Sequence, residues 1–160
     1  MLIQLISGLL LAGGRFNITG CPTPPSDLQS SVEFWLASYD VQFHCELPSL
    51  PNPMEGLTLD FIDDGHVIEC YQDVCNRFTN GAWTYLQKTK QSRRFHTSTV
   101  IGDKILLVGG ADSPHSAEMV RVDGGISMFS FFVDPGRAHH CSITMNQDSI
   151  ILTGGQDPLG

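Results

Sequence analysis

The chain has 160 residues, of which 41% are hydrophobic and 16% charged, and its formal net charge is −8. This hydrophobic content excludes an intrinsically disordered chain. The acidic balance argues against a nucleic-acid partner, because phosphate binding needs clustered Lys and Arg. With 16 Gly, 9 Pro and no long amphipathic helical pattern, the sequence predicts many short strands joined by turns.

Thirteen short strands are predicted in chain order. Each is a run of apolar, β-branched or aromatic residues, continuous or alternating with polar ones, between Gly, Pro, Asn or Asp residues. They are residues 9–12, 31–37, 41–47, 56–62, 66–71, 73–78, 82–86, 97–101, 105–108, 117–122, 126–133, 141–145 and 149–153. Asp63-Asp64-Gly65 and Asn80-Gly81 predict hairpin turns, because these residues tolerate the left-handed backbone of such turns.

An apolar run that ends in a Gly pair recurs along the chain. The pairs are Gly109-Gly110 and Gly154-Gly155, which lie 45 residues apart, and Gly13-Gly14 ends an earlier run. A second mark, Arg-x-x-His, begins at Arg93 and Arg137, which lie 44 residues apart. Two independent marks with nearly the same spacing indicate a structural repeat. The repeat also accounts for an acid two residues beyond each of two Gly pairs, at positions 112 and 157.

The middle of the chain departs from this pattern. The predicted strand at 66–71 stands where an apolar run with a Gly pair is expected, and Glu69-Cys70 is interpreted as the replacement for that pair. Met54 stands near the place where an Arg-x-x-His motif belongs. The strand boundaries of this middle repeat are therefore the least defined.

These marks resemble kelch repeats, the four-stranded units of one class of β-propeller. The resemblance rests on the two Gly pairs, on the two Arg-x-x-His motifs and on Trp83, ten residues before Arg93. The segment 45–51 also resembles the connection between units in divergent kelch-like proteins. The last repeat has Phe residues where Trp is usual. The period of about 50 residues in kelch repeats agrees with the spacing seen here.

The resemblance implies an all-β fold, a partial β-propeller of about three kelch-type four-stranded antiparallel blades. The whole chain, residues 1–160, forms one kelch-repeat region, with blade junctions near residues 50, 92 and 136. Closed propellers have about 4–8 blades. We therefore expect a fragment of a larger propeller protein or a chain that self-associates.

The resemblance also implies a function in protein–protein interaction, as a non-catalytic scaffold or adaptor. The partner would be another protein that binds rim loops such as residues 15–30 and 112–116. The alternative is a blade segment of a galactose-oxidase-like copper radical oxidase, which requires a Tyr–Cys cross-link and His and Tyr ligands to copper. Tyr39, Tyr71 and Tyr85 are the tyrosines of the chain, and none lies in a recognisable ligand pattern.

No residue is predicted to be catalytic or to bind a cofactor or a metal. His139 and His140 with His96 and His115 could form a metal cluster, but the repeat explains His96 and His140 better as structural residues. Buried Arg and His in the motifs are expected to satisfy backbone carbonyls and to connect one blade to the next. Glu69 is expected to be a solvated residue at a strand end.

The five cysteines leave both the disulfide state and the redox compartment open. They are Cys21, Cys45, Cys70, Cys75 and Cys141. Cys70 and Cys75 are close enough to bridge across a strand-to-strand turn, but we favour small buried thiols.

The start of the chain, residues 1–12, has the apolar character of a signal peptide. It lacks a preceding Lys or Arg and a following A-x-A-like site, so we favour a cytoplasmic chain over a secreted one. The same stretch is too short to span a bilayer.

Overall fold

The protein is all-β, as the sequence predicts. A computed structural model describes residues 8–12, 32–36, 43–47, 50, 55–62, 66–79, 82–125, 130–146 and 149–158. These residues form thirteen strands and no helix. The chain divides into two compact units, Met1–Glu55 and Gly56–Gly160.

The first unit contains one antiparallel sheet of three strands. They are β1 (Gly8–Ala12), β2 (Val32–Leu36) and β3 (Phe43–Leu47), in the order β1-β2-β3. All three coincide with predicted strands. In the β1–β2 register, Leu11 lies opposite Glu33. The predicted binding loop at 15–30 lies outside the described residues.

The second unit contains ten strands in three antiparallel sheets. Sheet I has the order β4-β5-β6-β7, and sheet II has the same sequential order, β8-β9-β10-β11. Sheet III, as described, consists of β12 and β13. The strands are β4 (Thr58–Phe61), β5 (Val67–Tyr71), β6 (Val74–Thr79), β7 (Ala82–Lys88), β8 (Thr97–Ile101), β9 (Lys104–Val108), β10 (Ser116–Arg121), β11 (Ser130–Phe132), β12 (Ala138–Asn146) and β13 (Ser149–Gln156).

The core of the second unit lies between sheets I and II. Alternation along each strand sends every second side chain to one face of its sheet. One face of each sheet therefore contributes to a single cluster of buried residues, Ile68, Cys70, Cys75, Ile105, Leu107 and Val120. Burying one aliphatic side chain of this size contributes about 1.5–3 kcal/mol, so this cluster is the main apolar contact between the two sheets.

The register of sheet I corrects the interpretation of Glu69-Cys70. Thr58 and Thr97, the first residues of β4 and β8, pair with Cys70 and Val108 respectively. Cys70 thus occupies the position of Val108, and Tyr71-Gln72 occupies the position of Gly109-Gly110. The prediction that Glu69-Cys70 replaces the Gly pair is wrong by two residues.

Backbone geometry supports this correction. Gln72 has a φ of 51° and Gly110 a φ of 108°, so both are in the left-handed region that favours glycine. The Gln72 amide donates to the Arg93 carbonyl, and the Gly110 amide donates to the Arg137 carbonyl, each at 2.8 Å. The same turn is therefore built without glycine in sheet I, where Gln adopts the strained conformation.

The predicted hairpin turns at 63–65 and 80–81 lie outside the described residues, as does Met54. The predicted strand at 126–133 is described only in part, as β11.

Candidate interaction surface

The arginine of each Arg-x-x-His motif binds the sheet that follows it. Arg93 is fully buried, and its Nη1 donates to the carbonyl oxygens of Gly109 at 3.0 Å and Ser116 at 2.9 Å. In the next repeat, Arg137 Nη1 donates to the carbonyl oxygen of Gly154 at 3.1 Å. Each arginine thus satisfies the carbonyl of the first residue of a Gly pair, which agrees with the expected structural role.

The histidine of each motif binds the sheet that precedes it. His96 Nε2 shares a hydrogen bond of 3.1 Å with Thr58 Oγ1, and His140 Nε2 shares one of 2.9 Å with Thr97 Oγ1. The expected partners were backbone carbonyls, so this detail is wrong, although the connection between sheets is present. Burial lowers the pKa of His96 to about 3 and also lowers the pKa of His140, so both rings are neutral near pH 7.

The residue before each histidine has a left-handed backbone. Phe95 has a φ of 57° and His139 a φ of 54°, which is uncommon for residues other than glycine. The Phe95 amide donates to the Gly56 carbonyl, and the His139 amide donates to the Phe95 carbonyl, both at 3.0 Å. The rings of Phe95 and His139 stack with centroids 4.3 Å apart. Backbone hydrogen bonds therefore link Gly56 to Phe95 and Phe95 to His139, and they fix the position of one motif relative to the next.

One buried and one half-buried acid in sheet I, Glu69 and Asp60, depart from the sequence prediction. Glu69 is 0% exposed, so the expectation of a solvated residue is wrong. Asn76, directly opposite on β6, donates to Glu69 Oε2 at 2.8 Å, while Oε1 has no partner among the described atoms. Burial raises the pKa of Glu69 to about 7 and that of Asp60 to about 6, because desolvation disfavours the carboxylate.

The acid of sheet II is held differently. Glu118 is 1% exposed and lies opposite Leu107, in the register position that Asn76 occupies in sheet I. Its carboxylate accepts from the Lys90 amide at 2.8 Å and lies 3.8 Å from Arg93 Nη2. A cation and a backbone donor therefore face this buried carboxylate.

Cys70 and Cys75 form a disulfide between β5 and β6. The two residues lie directly opposite each other in the register, and both belong to the buried core. Our preference for free thiols is wrong, whereas their predicted burial is confirmed. Cys141 is an exposed free thiol.

A surface of exposed and half-buried side chains lies at the end of sheet II, where the motifs meet the loop before β10. We call it the rim surface and define it by five residues, Arg94, Asp112, His115, Phe132 and His139. Arg94 binds Asp112 through two parallel hydrogen bonds of 3.1 and 2.9 Å. This bidentate pair fixes the loop on a partly exposed site, and it lowers the pKa of Asp112.

Phe132 is the apolar side chain of the rim surface, and it is largely exposed. It is 77% exposed, and its ring lies parallel to that of His115, with centroids 5.5 Å apart. His115 in turn contacts the Val133 carbonyl through Nδ1 at 3.2 Å, and its Nε2 lies 4.0 Å from Asp157 Oδ2. The aromatic ring is therefore exposed to solvent while its position is fixed from beneath.

The predicted loop at 112–116 contributes Asp112 and His115 to this surface. Arg94 and His139 were noted only as members of motifs, and Phe132 only as an aromatic strand residue. A parity argument along β11 shows that one of two adjacent Phe residues must face away from the core, but it does not say which. The structure resolves this, since Phe132 is more exposed than Phe131, at 77% against 48%.

The groups considered for metal or radical chemistry are dispersed. Within the described ranges, no three His, Cys, Asp or Glu side chains are arranged to hold a metal ion. The Nε2 atoms of His96 and His140 each share a hydrogen bond with a threonine hydroxyl. Cys70, the neighbour of Tyr71, forms a disulfide with Cys75. Tyr85 is 65% exposed on β7. No helix in the described part of the chain is long and apolar enough to cross a membrane.

Comparison with known proteins leaves the chain unassigned. No protein-family model matches it, and no curated protein matches it significantly.

Proposed function

We propose that sheets I, II and III are consecutive kelch-type blades of a β-propeller. Supporting this are the shared strand order of sheets I and II and the equivalent Arg–Gly and His–Thr contacts, which recur with the spacing of the repeat. Four-stranded antiparallel sheets whose first strands lie next to one another are the units from which propellers are built.

The function that this geometry supports best is recognition of another protein through the rim surface. The observation that carries the proposal is Phe132, an aromatic ring that is 77% exposed yet fixed by stacking on His115. Exposing such a ring costs free energy in water unless a partner covers it. Aromatic and Arg side chains dominate the binding energy of protein interfaces, and a rigid ring loses little conformational entropy on binding.

The charges of the rim surface suit a partner with both polar and apolar groups. Arg94 presents a side chain that is 43% exposed, and its charge is already balanced by Asp112. A partner carboxylate can share the guanidinium without leaving a buried charge unpaired. The rim surface therefore favours a protein segment that places an apolar side chain beside a hydrogen-bond acceptor.

The test uses a pair of matched aromatic substitutions in the full chain. Phe132→Ser removes the exposed ring of the rim surface, and Tyr85→Ser removes a ring of similar exposure, 65%, on β7. Both variants and the wild-type chain are expressed in cells, cross-linked and purified, and the captured proteins are quantified by mass spectrometry.

We expect at least one partner that wild type and Tyr85→Ser capture equally and that Phe132→Ser loses by about tenfold or more, the effect of removing an interface anchor worth about 2 kcal/mol. Capture that is equal for all three chains would contradict the proposal. An Arg94→Ala chain that keeps its thermal midpoint but loses part of the same partner would confirm that the whole surface takes part.

A further inference from the structure

The acid that follows each Gly pair faces a different side chain in sheets II and III. Asp112 and Asp157 hold equivalent positions, two residues beyond a Gly pair. Asp112 accepts two hydrogen bonds from Arg94, the second residue of its motif. The counterpart of Arg94 in the next motif is Ala138, whose side chain has no donor. The arginine that binds Asp112 is thus absent for Asp157.

The place of that arginine is taken by His115, from the loop before β10 of sheet II. Its Nε2 lies 4.0 Å from Asp157 Oδ2, and the two side chains are 35% and 31% exposed. An arginine stays charged at every pH at which proteins are studied, whereas an imidazole gains its charge only as pH falls from about 8 to about 5. The same position of the repeat therefore has a permanent ion pair in one sheet and a proton-dependent one in the next.

Contacts on several sides fix the orientation of His115. The Val133 amide donates to the His115 carbonyl at 2.7 Å, and His115 Nδ1 lies 3.2 Å from the Val133 carbonyl oxygen. Gly136 packs against the edge of the imidazole, since a Cβ atom there would lie 2.7 Å from Cε1. The ring of Phe132 lies parallel to the imidazole. Turning the imidazole over would break the bond to Val133.

The same contacts decide where the proton lies in the neutral ring. A carbonyl oxygen can only accept, so Nδ1 carries the hydrogen that is donated to Val133. Nε2 of the neutral ring is then an acceptor, and it faces the carboxylate of Asp157, which is an acceptor as well. Protonation turns Nε2 into a donor and makes the ring positive. The contact with Asp157 therefore becomes favourable when His115 gains a proton.

Other charged or titratable side chains lie on the segments around His115, namely Arg94, Asp112, Asp134, Arg137 and His139. Arg94 and Asp112 bind each other, and Arg137 donates to the Gly154 carbonyl. His139 stacks on Phe95, and Asp134 is exposed. Among the described residues, Asp157 is thus the acid that lies within ion-pair distance of His115.

We propose that His115 and Asp157 form a proton-dependent ion pair that regulates how firmly Phe132 is presented to a partner. Protonation adds a donor toward Asp157 and places a cation beside the parallel ring of Phe132, at a centroid distance of 5.5 Å. A cation within about 6 Å of a ring centroid attracts the ring. A more firmly held ring loses less entropy on binding, so affinity for the partner rises as pH falls.

This inference rests on the proposed function for the partner, whereas the ion pair itself can be measured in the chain alone. Amide hydrogen exchange of Val133, whose N–H donates to His115, is compared between wild type and Asp157→Asn at about pH 5.5 and about pH 8. The variant should exchange faster, and the ratio of the two rates should be about threefold larger at the lower pH. Comparing both chains at one pH cancels the titration of Glu69 and His96, which they share.

Asp103→Asn is the matched control. Asp103 Oδ2 lies 3.9 Å from Arg121 Nη2, so it forms a pair of similar length with a permanent cation at the turn between β8 and β9. This variant should give the same ratio at both pH values. A ratio for Asp157→Asn that is also equal at both would overturn the inference.

A second variant covers the case in which circular dichroism shows Asp157→Asn to be unfolded. His115→Asn can keep a donor to the Val133 carbonyl but cannot gain a proton, so its ratio to wild type should change with pH by the same factor of about three. An unchanged ratio for this variant would count against the inference in the same way.

A binding measurement separates this inference from the proposed function. The partner that depends on Phe132 is bound to purified wild type and Asp157→Asn at the two pH values. The ratio of their affinities should be about threefold larger at the lower pH. Equal ratios would overturn the regulatory role and leave the proposed function intact, whereas the absence of any partner that depends on Phe132 would remove both.

Discussion

Sheets I and II have one architecture but different chemistry at matching positions. Three pairs of positions differ: Glu69 corresponds to Leu107, Asn76 to Glu118, and the Cys70–Cys75 disulfide to the Val108–Ala117 pair. Each sheet buries one carboxyl group, that of Glu69 on β5 in sheet I and that of Glu118 on β10 in sheet II. In sheet I burial raises the pKa of Glu69 to about 7, and in sheet II the carboxylate of Glu118 lies 3.8 Å from the guanidinium of Arg93.

In this comparison the fold specifies where a polar group is buried, while the motif residue decides whether a cation lies beside it. Sheet II follows an Arg-x-x-His motif, so a fixed cation is available for Glu118. In the sequence before sheet I, Met54 stands two residues before Gly56, whereas Arg93 stands two residues before Phe95. Without an arginine, an acid on β6 would be costly, and Asn76 stands there instead.

The largest effect is expected when sheet II loses its cation. Arg93→Met removes the hydrogen bonds to Gly109 and Ser116 and leaves Glu118 buried without its cation, so unfolding free energy should fall by about 3–5 kcal/mol. Adding Glu118→Asn recreates the combination of sheet I and should recover part of the loss. Urea denaturation measures both, and Arg94→Met, an exposed neighbour, should cost less than about 1 kcal/mol. A double variant no more stable than Arg93→Met would show that the two positions are not coupled.

The next effect has the opposite sign and concerns the acid of sheet I. Burial raises the pKa of Glu69 from 4.5 to about 7, so the folded protein holds a proton that the unfolded chain releases. Its contribution is full below pH 4.5 and is lost as pH rises through 7. Glu69→Gln should therefore stabilise the protein by about 3 kcal/mol at pH 8 and by little at pH 4.5.

The histidines must be separated from this effect. The pKa of His96 is lowered to about 3, so its contribution is lost as pH falls below 6.5, in the opposite direction. The difference between Glu69→Gln and wild type at each pH removes that common part. Glu118→Gln is the matched control, and it should not stabilise the protein at pH 8. A gain from Glu69→Gln that is equal at both pH values would contradict the protonated state of Glu69.

The smallest effect concerns the Cys70–Cys75 disulfide, which is present in sheet I and has no counterpart in sheet II. Replacing Cys70 by Val and Cys75 by Ala gives sheet I the side chains of sheet II. The bridge joins residues five apart, and closing so short a loop stabilises by about 2 kcal/mol. Reductant should lower the unfolding free energy of wild type, measured by urea denaturation, by that amount and leave the variant unchanged. An identical response of both chains would show that the bridge contributes nothing.

The sequence predicts the strands well because their signals are local. Apolar runs, Gly pairs and the two motifs lie within short segments, and all thirteen predicted strands coincide with described ones. The misplaced Gly-pair equivalent has a clear cause, since Gln72 adopts a positive φ that sequence reasoning assigns to glycine. Only the register of β4 with β5 reveals that Tyr71-Gln72 holds this position.

The chemistry of individual side chains is less predictable, because it depends on contacts between distant segments. Glu69 is buried although its neighbours along the chain are compatible with a strand end. The opposed positions of Cys70 and Cys75 follow from the turn at residues 72–73, which fixes the hairpin register. The rim surface combines residues from a motif, a loop and β11, and no single stretch of sequence contains its pattern.

The Arg-x-x-His motif acts in two directions within four residues. Arg93 forms hydrogen bonds with the sheet that follows it, and His96 forms one with the sheet that precedes it. Arg137 and His140 make the same contacts one repeat later. The polar contacts to both neighbouring sheets therefore start from one contiguous segment, whereas the apolar contact between sheets I and II is spread over four strands. A gene duplication that copies one sheet with its motif would copy the donors of these polar contacts together.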